Sequence, residues 1–276
     1  MDDSWKKAEE SVDMIRSEIP GFSPDIGIIL GTGLGALGKE IKAEKEIPYR
    51  DIPHFPLSTV ETHSGVLICG ELEGKKVVAM SGRFHRYEGY SMKQIVFPVR
   101  VMHKLGIKYL LISNAAGGIN PKYRAGDLAL IDDIINFTGD NPLIGPNNDR
   151  VGPRYPDMYE PTSKELMEKA FEAAEGLNVR AHMGGVYMGV TGPNLETRAE
   201  YRMMGQFADM VGMSTVPEII AGVHCGLKIL GISVITDECA PETLKPVNIE
   251  NIIKTAMKAE PKLTAVMKAV VKNISV

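Results

Sequence analysis

Six short segments of the chain carry glycine, polar or charged residues that could bind anions or transfer protons. They lie after residues 30, 81, 113, 191, 213 and 236, and most of them directly follow hydrophobic stretches that are typical of strands. One of them, residues 82–90, holds Arg83, His85 and Glu88 within a few positions. A guanidinium binds oxyanions bidentately, and a histidine beside a carboxylate holds or moves a proton. The segment indicates an anion site, although a solvated loop would explain its charges equally well.

The glycine-rich segment at residues 31–36 has two interpretations. It matches G-x-G-x-x-G/A after a strand, which indicates either a dinucleotide site or a simpler anion site built from backbone N–H groups. The dinucleotide site is disfavoured because the chain then runs through Pro53 and Pro56 rather than into a second strand. Residues 114–120 are small, so they let a ligand approach the backbone or form a tight turn.

Glu196 and Ser214 each lie close to the start of a predicted helix. A carboxylate or a hydroxyl at that position acts either as a helix cap or as part of a ligand site. Thr215 is predicted to cap the helix that carries Pro217 in its first turn. His63 stands alone, and a lone histidine is more often structural than catalytic. Local pattern leaves each of these alternatives open.

Strands that alternate with helices must position these segments. Helices are predicted over residues 3–19, 91–105, 163–176 and 196–207, after 215, and from 249. Strands are predicted over residues 25–31, 65–72, 76–81, 108–113, 127–137, 183–191 and 227–236. The second and third strands form a hairpin, and a long loop covers residues 138–161. This order predicts a single α/β domain over residues 1–276, with a mixed sheet surrounded by helices.

The composition excludes several classes of function. The 276 residues are 44% hydrophobic and carry a net charge of −4, which argues against nucleic acid as a partner. The N-terminal segment has no hydrophobic core typical of a signal peptide, and no stretch approaches the roughly 18 apolar residues of a membrane span. The cysteines are Cys69, Cys225 and Cys239, an odd number without metal-ligand spacing. We therefore expect a reduced, cytoplasmic protein without a metal site.

Taken together, the six segments resemble those of the trimeric purine nucleoside phosphorylases. The matching stretches are GTGLG (31–35), HFP (54–56), GRFHRYEGY (82–90), NAAGGIN (114–120), INF…NPLIGPN (135–147), GPNLET (192–197) and GMSTVPE (212–218). They occur in the family's order and span nearly the whole chain. The resemblance implies a partly barrel-like sheet, a homotrimer, a role in purine salvage, and reversible phosphorolysis of purine (deoxy)ribonucleosides. The products would be the free base and α-(deoxy)ribose 1-phosphate, with no metal or organic cofactor.

The resemblance also implies roles for individual residues. The residues implied to bind phosphate are Thr32, His63, Arg83, Phe84, His85, Ala115 and Ser214. The residues implied to bind the nucleoside are Tyr87, Tyr187, Leu195, Glu196, Met213, Thr236, Asp237, Asn248 and, from a neighbouring subunit, Tyr155. The implied catalytic residues are His85, Glu88 and Asp237, where Glu88 would orient His85 or the phosphate shell.

The residue after Thr236 departs from the family pattern and opens a second class of base. Members that favour 6-oxopurines have asparagine there, whereas this sequence has Asp237. An ionised aspartate only accepts hydrogen bonds and suits a 6-amino group, whereas a protonated one donates to O6. The related methylthioadenosine phosphorylases also carry aspartate here. Leu195 in place of an aromatic residue and Asn248 in place of a histidine are smaller departures.

Inosine and guanosine remain the favoured substrates because Glu196 would accept a hydrogen bond from purine N1–H, which adenine lacks. Adenosine and methylthioadenosine are the alternative substrates. Two hypotheses come from other classes: a nucleotide-dependent dehydrogenase built on residues 31–36, and a nucleoside-binding module without catalysis. The combination of Arg83, His85, Glu88 and Ser214 disfavours the binding module.

Overall fold

The computed structural model describes residues 4–31, 35–57, 64–242, 244 and 246–275, which form one mixed sheet of nine strands with helices around it. The helices are α1 (Ser4–Glu18), α2 (Ala36–Glu40), α3 (Met92–Leu105), α4 (Lys164–Gly176), α5 (Arg198–Met204), α6 (Val216–His224) and α7 (Ile249–Asn273). The strands are β1 (Ile26–Leu30), β2 (Lys42–Pro48), β3 (Val66–Leu72), β4 (Lys75–Ser81), β5 (Tyr109–Gly118), β6 (Leu128–Asn136), β7 (Ala181–Gly189), β8 (Met210–Gly212) and β9 (Lys228–Glu238). None of the helices in these ranges is long and apolar enough to cross a membrane.

Part of the sheet curls into an incomplete barrel. The strand order is β2-β3-β4-β1-β5-β8-β7-β6-β9, and β5 pairs with β9 as well as with β8. The last five strands of this order therefore return on themselves, while β1 to β4 extend from β5 as an open sheet. The pairs β1–β4, β1–β5 and β5–β9 are parallel, so their carboxyl ends lie at one edge of the sheet. This arrangement confirms the expected mixed, partly barrel-like α/β fold.

Two hydrophobic cores cover the two faces of the sheet. Successive side chains of β1 point to opposite faces, so Ile29 packs with α1 and α3 while Ile28 and Leu30 pack with α7. The cap of α3 was predicted correctly: Ser91 accepts a hydrogen bond from the Gln94 N–H in a capping box. These cores hold the strand ends, and the segments that follow them, in fixed positions.

Residues 114–118 are strand and not the predicted loop. β5 continues to Gly118 and pairs with β9 on one side and β8 on the other, with a register shift between Ala116 and Gly117. Alanine and glycine have weak strand preference, but pairing with β9 along the whole stretch, and also with β8 at Gly117 and Gly118, overrides it. The small residues allow the strand to lie close to its neighbours. At Gly117, for example, an added Cβ would lie only 2.8 Å from the Cys239 sulfur.

The sequence patterns also missed α2, β2 and β8. β2 pairs antiparallel with β3, which explains why residues 31–36 are not followed by the parallel strand of a dinucleotide-binding unit. β2 carries mostly charged, exposed side chains and so lacks the hydrophobic alternation that marks a strand. The long loop at residues 138–161 has neither helix nor strand, as expected.

Candidate active site

All six segments meet at one cavity of about 240 Å³ at the carboxyl ends of the strands. Their convergence follows from the parallel pairing of β4, β1, β5 and β9, which brings distant stretches of chain to the same edge. The predicted site residues that line the cavity are Arg83, His85, Tyr87, Ala115, Leu195, Glu196, Met213, Ser214, Thr236 and Asp237.

Besides Glu88, which holds His85, two predicted residues lie behind the cavity wall and do not line the cavity. The Phe84 ring is fully buried in an aromatic cluster with Tyr49 and Tyr90. Tyr187 is buried beneath Gly212, where an added Cβ would fall 2.1 Å from the tyrosine hydroxyl. Gly212 is therefore required for the close approach of the segment 212–214 to β7.

Four further predicted residues are placed elsewhere or cannot be placed. Asn248 caps α7 by accepting a hydrogen bond from the Asn251 N–H, and it does not line the cavity. Tyr155 is 86% exposed in the long loop. Thr32 and His63 lie outside the described residues, so their predicted phosphate contacts remain predictions.

Arg83 is the centre of a buried cationic group. Its side chain is 2% exposed, and its Nη1 donates to Ser214 Oγ at 2.7 Å and to Thr215 Oγ1 at 3.0 Å. Nη2 donates to the Ser113 carbonyl at 2.6 Å. The buried Glu218 carboxylate lies 3.8 Å from Nε, in the first turn of α6, where the helix dipole also stabilises it. Glu218 offsets the cost of burying the guanidinium charge.

His85 is held from behind by Glu88. Glu88 Oε1 lies 2.8 Å from both the ring Nδ1 and the backbone N–H of His85. A carboxylate at Nδ1 keeps a proton on that nitrogen and fixes the orientation of the ring. The Tyr87 ring stacks on the imidazole at 4.7 Å, and burial raises the pKa of its hydroxyl to about 12. The Tyr87 hydroxyl thus stays protonated and can donate at neutral pH.

Thr215 holds a strained backbone conformation next to this group. Its φ is +70°, which is rare for a β-branched residue and costs about 1–3 kcal/mol. Thr215 is the N-cap residue of α6, as predicted, but its side chain makes no capping hydrogen bond. Instead Thr215 Oγ1 accepts from Arg83 Nη1 and from Asn114 Nδ2 at 3.0 Å each. Both lone pairs are then used, so the hydroxyl proton goes to Ser214 Oγ at 3.2 Å.

These hydrogen bonds determine where the Ser214 hydroxyl can donate its proton. Its oxygen accepts from Arg83 and from Thr215, so its own proton is available to the Tyr187 oxygen or to a ligand in the cavity that Ser214 lines. We expect Thr215→Val, which keeps the β-branched shape but lacks the hydroxyl, to weaken the binding of inorganic phosphate about tenfold. Titration calorimetry with phosphate measures this, and Thr215→Ser serves as the control that keeps the hydroxyl. Equal affinity of the valine variant and the wild type would refute the relay.

A pair of carboxylates forms the second polar group of the cavity. Tyr201 donates its hydroxyl proton to Glu196 Oε2 at 2.7 Å. Asp237 is held at both oxygens, by the Thr236 hydroxyl at 2.8 Å and by the Cys239 thiol at 3.1 Å. Glu196 and Asp237 therefore face the cavity with their orientation set by neighbouring donors.

The alternative role of Glu196 as a helix cap is wrong. Thr197 is the N-cap of α5, and its side chain pairs with Glu200 in a capping box. Glu200 supplies the carboxylate that stabilises the helix start, which frees Glu196 for the cavity. Two carboxylates four positions apart thus have different tasks, and only their partners distinguish them.

Three residues of the site carried no recognisable signal in the sequence. Tyr201 and Cys239 bind the two carboxylates, and Glu218 balances Arg83. Tyr201 lies on the inner face of α5, five positions after Glu196, and Cys239 lies two positions after Asp237. Both spacings are visible in the sequence, but nothing in them indicates contact before the helix and strand are placed.

The cavity can hold an anion and a polar organic ligand at the same time. Arg83, His85 and Ser214 supply donors, Glu196 and Asp237 supply acceptors, and Met213 with residues of α7 adds apolar wall. Such a mixture of apolar lining with a few oriented polar groups is typical of small-molecule sites. Within the described ranges, His, Cys, Asp and Glu side chains form no group of three that would hold a metal ion.

Comparison with known proteins points to one family. Residues 25–272 match the model of the phosphorylase superfamily. The chain is 47% identical to purine nucleoside phosphorylase 1 of Geobacillus stearothermophilus, over 97% of each chain. It superposes with a TM-score of 0.93, at 41% identity, on isoform 2 of purine nucleoside phosphorylase from Schistosoma mansoni in complex with cytosine and ribose-1-phosphate, covering 98% of this chain and 97% of that one. A purine nucleoside phosphorylase of the same organism in complex with adenosine gives a TM-score of 0.92 at 36% identity, covering 98% of each chain.

Proposed function

Because the chain belongs to the phosphorylase superfamily, and within it to the purine nucleoside phosphorylases, we propose that it catalyses the reversible phosphorolysis of purine (deoxy)ribonucleosides. Inosine and guanosine are the preferred substrates. The products are the free base and α-(deoxy)ribose 1-phosphate, so the enzyme is a pentosyltransferase. Inorganic phosphate is the co-substrate, and the reaction needs no metal or organic cofactor.

One observation carries the proposal: a buried guanidinium with its donors and a pair of carboxylates line the same cavity. Phosphorolysis needs both groups at once, because phosphate attacks the anomeric carbon while the purine departs. A dehydrogenase would need a parallel strand after residues 31–36, which the antiparallel β2 does not provide. A module that only binds nucleosides would have no need for Arg83 and His85.

Arg83, His85 and Ser214 would hold phosphate beneath the sugar. Arg83 supplies positive charge, and the hydroxyl of Ser214 is oriented towards the cavity by the contacts of Thr215. Holding the phosphate nucleophile beside the sugar converts a bimolecular attack into an effectively unimolecular one. Because these donors are already fixed by the fold, they need little rearrangement as charge develops on the sugar in the transition state. Tyr87 and Met213 are placed to contact the ribose.

Glu196 and Asp237 would bind the base. An ionised Glu196 accepts a hydrogen bond from N1–H of a 6-oxopurine, which favours inosine and guanosine. A proton on Asp237 would be donated to O6 and would stabilise the base as it leaves with negative charge. If Asp237 is instead ionised with a bound substrate, a 6-amino group fits better, so adenosine and methylthioadenosine are the alternative substrates.

The proposal includes a cytoplasmic homotrimer with a role in purine salvage. Tyr155 supports an assembly because its side chain is 86% exposed. It lines a second cavity of about 500 Å³ together with Leu143, Ile144 and Met158. Apolar residues that line an exposed surface are typical of contacts between copies of a chain. In the trimer Tyr155 would reach the active site of a neighbouring subunit.

Base release from four nucleosides tests the reaction. Inosine, guanosine, adenosine and methylthioadenosine are each incubated with the enzyme, with and without phosphate, and the free base is measured. We expect phosphate-dependent release from inosine and guanosine. In Asp237→Asn the amide donates to O6 and accepts from N7–H without a proton from solvent, so inosine cleavage persists while adenosine cleavage falls.

Other outcomes separate the alternatives. Release mainly from adenosine or methylthioadenosine, reversed by Asp237→Asn, would replace the substrate assignment but keep the reaction. No phosphate-dependent release from any of the four nucleosides would rule out the phosphorylase.

A further inference from the structure

Two side chains each serve one of the two carboxylates: Tyr201 in the cavity wall and Cys239 behind it. The Tyr201 phenol donates to Glu196 at 2.7 Å, and the Cys239 thiol donates to Asp237 at 3.1 Å. Both donors are buried and pack in one hydrophobic cluster, with Cys239 fully enclosed and its backbone N–H bonded to Gly118 of β5. Neither side chain is free to turn away from its carboxylate.

Both groups remain protonated and can act as donors. Burial, followed by contacts with the Cys239 thiol and the Glu196 carboxylate, raises the pKa of the Tyr201 hydroxyl. Burial and the Asp237 charge raise the pKa of the Cys239 thiol. The Cys239 thiol has a single proton, which it donates to Asp237. Its sulfur can therefore interact with the Tyr201 phenol only through its lone pairs.

The chemistry of the purine sets how many protons the two carboxylates can share. A 6-oxopurine presents a donor at N1 and an acceptor at O6, so it needs Glu196 ionised and Asp237 protonated. A 6-aminopurine presents an acceptor at N1 and a donor at the amino group, so it needs the reverse. Each base class therefore requires one proton on the pair, and the two classes differ only in which carboxylate holds it.

The two donors differ in strength. A phenol is a strong hydrogen-bond donor, and its bond to Glu196 is short, whereas a thiol donates weakly. A hydrogen bond to the charged form of an acid favours that form. The phenol thus gives ionised Glu196 a strong hydrogen bond, whereas the thiol gives ionised Asp237 only a weak one. Thr236 accommodates a protonated Asp237, because its hydroxyl proton has a second acceptor in the Ala116 carbonyl at 3.2 Å.

We propose that Tyr201 and Cys239 are specificity-determining positioning residues, which set the preference for 6-oxopurines by directing the shared proton to Asp237. The inference deepens the proposed function and rests on it. Neither residue needs to touch the base, since each acts through the carboxylate that it holds.

Three variants test the proposal by the ratio of kcat/KM for inosine to that for adenosine. Tyr201→Phe removes the donor from Glu196, so the ratio falls about tenfold or more. Cys239→Ser gives Asp237 a stronger donor, which favours its ionised form and also lowers the ratio. Cys239→Val removes the donor at similar volume, so the ratio rises or stays at the wild-type value. Cys239→Ser should therefore give a lower inosine-to-adenosine ratio than Cys239→Val.

Controls separate this role from a structural one. Cys225→Ser changes a buried thiol outside the cavity and should leave the ratio unchanged. Thermal unfolding of every variant measures lost stability, which would lower activity on both nucleosides together. Equal ratios in the wild type, Tyr201→Phe and Cys239→Ser would overturn the inference. A wild-type enzyme without phosphate-dependent base release would overturn the proposed function instead, so the two failures are distinguishable.

Discussion

Arg83→Met is expected to abolish most phosphorolysis and to destabilise the fold. The variant removes the positive charge and three donated hydrogen bonds from the proposed phosphate site. Loss of a single preorganised donor commonly costs about 10²–10³ in kcat, so we expect a loss of about 10³ or more. Glu218, which is 2% exposed, would then be a buried carboxylate without its cation, which lowers the free energy of unfolding by about 3–5 kcal/mol.

A second variant separates the two effects. In Arg83→Met/Glu218→Gln both charges are absent, so most of the lost stability should return while activity stays low. Denaturant unfolding measures the first quantity and phosphate-dependent base release measures the second. Recovery of activity in the double variant would mean that Arg83 acts only through stability.

Arg86→Met is the matched control in the same loop. The Arg86 side chain is 39% exposed, and its guanidinium lies 3.9 Å from Asp140, outside the cavity. An exposed ion pair of this kind contributes about 0–1 kcal/mol, so stability and activity should change little. A loss of activity as large as that of Arg83→Met would show that net charge in the loop matters more than the buried contacts.

Glu196→Gln is expected to lower kcat/KM for inosine and guanosine by about 10²–10⁴. The reason is a mismatch of donors. Glu196 lies between the Tyr201 hydroxyl, which donates to Oε2, and a purine N1–H that would donate to the other oxygen. A carboxylate accepts at both ends, whereas an amide accepts at one end only. The glutamine oxygen can accept from the base only if the amide N–H faces Tyr201, so the Tyr201 hydroxyl must give up its present bond and turn its proton elsewhere.

The same substitution should reduce adenosine cleavage less than inosine cleavage. Adenine N1 is an acceptor and meets the new amide N–H without conflict. Glu200→Gln is the control, because Glu200 lies on the same helix but is exposed and belongs to the capping box. It should change stability by less than about 1 kcal/mol and leave catalysis intact. Equal losses on both nucleosides in Glu196→Gln would contradict the assignment of Glu196 to the N1 position.

Regular elements with strong local signals were predicted well. α3 begins after its Ser91 capping box and ends before Gly106, and the β3–β4 hairpin turns at Gly74, because these residues carry their own conformational preference. β2 was missed because its five exposed residues give no hydrophobic alternation, and only its pairing with β3 makes it a strand.

In the candidate site, too, features that depend on local sequence were predicted, whereas features that depend on distant neighbours were not. Ten of the predicted side chains or backbone positions line the cavity, since glycine-rich segments after parallel strands must meet at one edge. The resemblance also implied ligand roles for Phe84, Tyr187 and Asn248, which lie in an aromatic cluster, beneath Gly212 and at a helix cap rather than in the cavity wall. Which way a side chain turns at a strand end depends on neighbours that are distant in sequence.

The sequence by itself determined the types of chemistry in this protein: a guanidinium with a histidine, a pair of carboxylates, and the strand ends that carry them. Tertiary structure alone decided how those groups are tuned. It buried Glu218 against Arg83, forced Thr215 to φ +70° so that its hydroxyl orients Ser214, and set Tyr201 and Cys239 behind the two carboxylates. The physical reason is range: residue type and turn preference act over a few positions, whereas hydrogen-bond partners and burial depend on which distant segments the sheet brings together.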